Sequence, residues 1–158
     1  MYFPYTSIVI AVDGGGHATH AMTLGVDMAR TLALPVRLVH VVQHRSTTSL
    51  DARRIDPTLT DGDSDGSAED RLGAAVLDDA LAQVNMDNSL DIEGVLLAGE
   101  PAQTLLRYLE ECDRPLLVIG RRGRGLWGEL LLGSVSDTLV RHASCPVTVV
   151  SEPLSHTG

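Results

Sequence analysis

The sequence predicts an open, doubly wound α/β domain: a parallel sheet of five strands with helices on both faces. Short apolar runs rich in Val, Ile and Leu alternate with longer stretches of helical periodicity. That rhythm is the one of βαβ units, which pair strands in parallel through right-handed crossovers. Aromatic residues make up only 3% of the chain, so the interior has to be built from Val, Leu, Ile and Ala. Such a core suits a sheet covered on both sides. A length of 158 residues is one domain's worth and enough to enclose a core, and no internal repeat divides it, so 1–158 is read as a single domain.

Ser7 to Val12 is the first predicted strand, closed by the charged Asp13 and an exit loop of Gly14, Gly15 and Gly16. No basic residues precede this apolar run and no small-residue cleavage site follows it. It therefore reads as a strand and not as a signal peptide. A helix from about His17 to Leu34 follows, with Ala18, Ala21, Met22, Gly25, Met28, Ala29 and Leu32 on one face. Pro35 breaks it before a second strand, Val36 to Val42. Periodicity then disappears: residues 43–67 are polar and acid-rich, the composition of a mobile surface loop. A second helix spans about Ala68 to Val84, with Leu72, Ala75, Val76, Ala80, Leu81 and Val84 expected inward. The third strand is Ile92 to Ala98. Pro101 opens a third helix, with Ala102, Leu105, Leu106, Leu109 and Cys112 buried. Leu116 to Ile119 is the fourth strand. Ser134 starts the last helix, with Val135, Leu139, Val140 and Ala143 apolar, and Pro146 to Ser151 is the fifth strand.

Composition narrows the function. An apolar content of 44% with 21% charged residues is ordinary for a globular protein in water. The net charge of −9 argues against a nucleic-acid surface, which needs a basic stripe, and against docking on an anionic membrane. No segment approaches a membrane span. Cys112 and Cys145 are far apart in the chain and set in apolar surroundings, as in a reducing compartment without a disulfide framework. A cytoplasmic location is expected.

The most informative stretch is LLVIGRRGRGLWGELLLGSVS, Leu116 to Ser136. A buried-type strand ends at Gly120, and glycines follow at 123, 125, 128 and 133 before the helix start at Ser134. Strand, glycine-rich loop and helix start form a usual holder for phosphate. Glycine lets the backbone approach and turn, and the free N–H groups of the first helical turn point at the anion. Ser134 is placed to cap that helix and to offer its hydroxyl. The spacing reads G-x2-G-x9-G-[ST] through Gly120, Gly123, Gly133 and Ser134. It is not a Walker loop, since no Gly-Lys-Ser/Thr occurs, and it follows the fourth strand, unlike the dinucleotide fingerprint. Glycines alone would explain a turn; the full spacing, the serine and the Cys-Pro-Val strand after it agree on a ligand.

In open α/β sheets the ligand sits at the carboxyl ends of the strands, where strand order reverses. That rule brings Asp13 and His40-Val41-Val42 near the loop after the fourth strand. A carboxylate there can accept hydrogen bonds from ribose hydroxyls, and apolar backbone around Val41 can hold a flat base and read its edge through N–H and C=O groups. Asp13 alone would serve as well as a turn residue capping the first helix.

The glycine pattern followed by LVRHASCPVTVV resembles the ATP-binding branch of the universal stress protein family. The resemblance runs from IVIAVDG to CPVTVV, the polar loop excepted. It implies ATP, accompanied by Mg2+ or Mn2+, with the base between strands one and two. Asp13 would then hold the ribose and the Val41 backbone the adenine. Gly120, Gly123, Gly133, Ser134 and Val135 would line ribose and phosphates, with Ala11, Val12, His40, Arg121 and Ser136 completing the candidate set. It also implies a homodimer. The fifth strand, 147–150, would be an apolar edge that needs cover, supplied by the same strand of a second subunit, antiparallel. Family members often carry serine where this chain has Gly15, so a different cap for helix one is expected. Many have an acid where Pro115 stands, so the salt bridge it would make locally is not expected here.

Other residues give weaker signals. Arg121, Arg122 and Arg124 form a run of the kind usually solvated. His17 with His20, and His40 with His44, have metal-compatible spacings but no third ligand cluster. Cys145 reads as a small core residue. Glu129, alone in the spacer, is flanked by Trp127, Leu130 and Leu131, which suggests a packed flap with the acid outward. Slow hydrolysis at most is therefore expected. Two rivals are a nucleotide-independent dimeric interaction module of the same fold and an adenylating enzyme. The latter's Ser-Gly-Gly-x-Asp-Ser is replaced here by Asp13-Gly14-Gly15-Gly16-His17.

Overall fold

The structure is a computed structural model that describes residues 4–13, 18–43, 53–55, 68–84, 89–121 and 134–151. Along the chain run β1 (Ser7–Ala11), α1 (Ala18–Leu32), β2 (Val36–Val42), β3 (Arg53–Ile55) and α2 (Ala68–Val84). Then come β4 (Ile92–Ala98), α3 (Pro101–Glu111), β5 (Pro115–Gly120), α4 (Ser134–His142) and β6 (Val147–Val150). The strands form one sheet in the order β3-β4-β2-β1-β5-β6. Five of them pair in parallel, as the βαβ rhythm predicted, and the helices cover both faces.

Strand alternation builds two cores. Ile8 and Ile10 of β1, Leu38 of β2 and Val118 of β5 face α1 and α2. Val9, Val39, Leu117 and Ile119, one residue out of phase, face α3 and α4. Burying each such side chain is worth ~1.5–3 kcal/mol over leaving it exposed. Helix α1 ends in a double turn: Ala33 N–H donates to Arg30 O and Leu34 N–H to Ala29 O, with Ala33 at φ 54. The reversal satisfies the last carbonyls and delivers Pro35 to the start of β2.

Two expectations are corrected. The sequence predicts loop throughout 43–67, yet Arg53–Ile55 form a sixth strand, antiparallel to β4 at the sheet's edge. Three residues are too short to show alternation, and their order comes from the partner strand. The rest of that segment, 44–52 and 56–67, lies outside the described residues.

The second correction concerns the buried face of α2. It is Gly73, Leu77 and Ala80, whereas Leu72 is 68% exposed, Ala75 is exposed and Val76 is half-buried. Glycine contributes nothing to an apolar pattern, so the face read from large side chains was turned by about one residue. A Cβ at Gly73 would lie 2.3 Å from Val42 Cγ2 and 3.1 Å from Leu96 Cδ1, so glycine is what lets this helix lie against the sheet. On α4, Val140 is likewise 46% exposed instead of inward. On α1, Ala21, Met22, Gly25 and Ala29 are buried as expected, joined by Val26; Ala18's side chain lies outside the described set.

Candidate functional site

At the carboxyl ends of β1, β2 and β5 lies a cavity of about 550 Å³. Its position follows from topology. β1 leads to α1 on one face, and its neighbour β5 leads to α4 on the other, so the chain parts above the junction of the two strands. Ala11, Val12, Asp13, His40, Val41, Gly120, Arg121, Ser134, Val135 and Ser136 all line it. Gly123 and Gly133 lie outside the described residues, as do Arg122, Arg124, Glu129, His17 and His44.

The floor is main chain. Val12 N–H donates to Val39 O at 2.8 Å, the last rung between β1 and β2, whose register ends at Ala11–Val39. On its other side β2 stays paired to β4 as far as Val42–Ala98, and Gly99 N–H donates to Val42 O at 2.9 Å. The N–H and C=O of one strand residue point the same way and alternate along the strand. Because Val39 O faces β1, the peptide groups of Val41 face β1 too, above the last rung. Beside them, His40 Nδ1 lies 2.7 Å from Val12 O.

Among the described residues three helix starts border the cavity: α2, which carries Glu69 and Asp70 in its first turn, α3 and α4; the last two differ. Glu100 caps α3: its two carboxylate oxygens accept from Ala102 N–H (3.2 Å) and Gln103 N–H (2.8 Å). A negative charge already occupies that helix end, so a second anion is repelled from it. Helix α4 begins with Ser134 as its first helical residue, exposed; residue 133 before it lies outside the described set. Ser136, within the first turn, is buried and donates from Oγ to Gly120 O at 3.2 Å, tying the helix start to the end of β5. Arg121 extends β5, donating N–H to Val150 O at 2.8 Å; it is half-buried on the cavity wall instead of solvated.

Sequence reasoning missed the wall contributed by α2, namely Glu69, Leu72, Gly73 and Val76, and the Glu100-Pro101 turn. The exposed Leu72 lines the cavity mouth. Its signal was present as an apolar residue out of phase with the core, but only the position of Gly73 reveals the phase. Cys112 and Cys145 are half-buried and form no disulfide, and burial pushes the Cys145 thiol above its ordinary value. Among the described residues no cluster of three or more His, Cys, Asp or Glu could hold a metal, and no helix is long and apolar enough to cross a membrane.

Sheet order, crevice and cavity lining define an open α/β domain with a cavity at the strand tips. The sequence pattern of the universal stress protein family matches residues 4–151, and the chain belongs to that family. It is 29% identical over 147 residues to Universal stress protein Rv2005c of Mycobacterium tuberculosis, a match covering 90% of this chain and 47% of that one. The chain thus spans about half the length of the first curated relatives it matches. Among solved structures, a universal stress protein from Archaeoglobus fulgidus superposes with a TM-score of 0.68 at 26% identity, over 92% of this chain and 98% of that one. A universal stress protein from the same organism in complex with dAMP gives 0.65 at 22% identity, over 93% and 98%.

Proposed function

We propose that this chain binds an adenine nucleotide, ATP with Mg2+ or Mn2+, as a regulatory or protective module of the cytoplasmic stress response. It acts as a homodimer and holds the nucleotide far longer than it turns it over. The observation that carries this reading is that one cavity offers a peptide edge and a helix start together. The N–H and C=O of Val41 suit the edge of a base, and the first turn of α4, whose Ser134, Val135 and Ser136 line the same cavity, suits phosphate, while α3's first turn is taken by Glu100. Asp13, half-buried, lines the same cavity, where a ribose hydroxyl would donate to it. The dAMP complex of the fold relative agrees with an adenine nucleotide. Divalent ions of this type keep several waters and lean on substrate phosphates, so few protein ligands are required.

Mass spectrometry of the freshly purified, denatured protein is expected to detect co-purified adenine nucleotide. In calorimetry, Gly123→Val and Gly133→Val should abolish ATP binding while the circular dichroism stays native, because a side chain would fill the space of the phosphate oxygens. Unchanged affinity in both variants would place the ligand elsewhere.

A further inference from the structure

We propose that His40 is a positioning residue that stops the β1–β2 ladder one rung early and so keeps the Val41 peptide group available to a ligand. The ladder has a fixed beat. Ile8 N–H donates to Pro35 O at 2.9 Å and Val12 N–H to Val39 O at 2.8 Å. In a parallel pair the next bond would run from Val41 N–H to Val12 O. Among the described residues that bond is not made, and the register ends at Ala11–Val39. The Val12 carbonyl instead receives the imidazole of His40, with Nδ1 at 2.7 Å. A carbonyl oxygen only accepts, so Nδ1 carries the proton.

Two features hold the device in place. The tip of β2 is pinned to β4 by the Val42–Ala98 pair and by Gly99 N–H to Val42 O, so pairing on that side persists while the β1 side parts. The ring's Cδ2 edge packs against α2 at Gly73, where a Cβ would stand 3.4 Å from it. An imidazole from β2 thus reaches the main chain of β1 and substitutes for β2's own peptide. The consequence for ligand recognition rests on the nucleotide reading above; the interrupted ladder does not.

The test is amide hydrogen exchange by NMR on the full chain, alone and with ATP, in wild type, His40→Leu and His40→Gln. In the free wild type the Val41 amide should exchange about tenfold or more faster than that of Val39, and ATP should slow it. Leucine cannot donate to Val12 O. In His40→Leu the Val41 amide should therefore become protected without ligand, and ATP affinity should fall about tenfold. His40→Gln, whose side-chain amide can donate, should restore both readouts toward wild type. A Val41 amide as protected as Val39 in the free wild type overturns the proposal and requires no variant. Unchanged exchange and affinity in His40→Leu overturns it as well. If the wild type binds no ATP, the nucleotide reading fails, and exchange in the free proteins still decides whether His40 holds the ladder open.

Discussion

A single missing side chain sets the width of the cavity. Gly73 lets α2 lie on Val42, and the same helix turn carries Leu72 and Val76 to the cavity mouth. Gly73→Ala adds a methyl group 2.3 Å from a stiff β-branched neighbour, an overpacking that costs ~1–3 kcal/mol, against a helix-propensity gain of ~1 kcal/mol. Urea unfolding should therefore show net destabilisation, and ATP affinity should drop as the wall moves out. Tyr108 gives a second residue-scale expectation. Burial, with a contribution from Cys112 and opposition from Arg37, pushes its hydroxyl from the ordinary 10.0 to about 12. The folded state thus favours neutral tyrosine. Its contribution is whole below pH 10.0, the unfolded value, and is lost as pH rises through about 12. The hydroxyl oxygen is sealed, with the Arg37 guanidinium and the Cys112 thiol near it but neither in good hydrogen-bonding geometry, so Tyr108→Phe should cost little at neutral pH. It should also flatten the fall of the urea midpoint across that alkaline window.

At the scale of elements, β6 closes one edge of the sheet. Leu117 N–H donates to Pro146 O and Arg121 N–H to Val150 O, so the alternation turns the N–H groups of Val147 and Val149 away from β5. Those are the donors a second copy would use. Val149→Pro removes one of them, and light scattering at micromolar concentration should then give a monomer mass where the wild type gives a dimer. A sharp monomer mass for the wild type would refute the pairing. Long, strongly periodic elements were legible in the sequence, α3 and β2 to the residue at their starts, because each buries its own pattern. What stayed hidden depends on a partner. β3 is ordered by β4, α2's phase is set by a glycine, and the cavity walls of Glu69 and Glu100 are brought in by the crossovers. The tips of β1, β2 and β5 could be placed in the cavity because the carboxyl-end rule needs topology alone.

Across the whole molecule, nucleotide binding should appear as stability. A ligand at about 100 times its dissociation constant adds ~2.7 kcal/mol, and each kcal/mol moves the melting point of a chain this size by roughly 2–4 °C. Hydrolysis should be slow. The described cavity offers peptide dipoles, Ser134 and one arginine, and dedicated phosphoryl transfer needs more aimed charge than that. Turnover at or below roughly one per minute is expected, against ~1–100 per second for kinases. A radiolabelled ATP assay with Gly133→Val as blank checks this, and several turnovers per second that vanish in the blank would make the protein an enzyme. The Val41 peptide edge has a consequence for how such a site is discovered. Its donor and acceptor belong to no side chain, so an alanine scan of the cavity would report residue 41 as silent however much it matters. A backbone ester at position 41 deletes the Val41 N–H and keeps the valine side chain, so it would expose the donor half of the group. One at position 42 turns the Val41 carbonyl into a weaker ester acceptor and would expose the other half, while also removing the Val42 N–H.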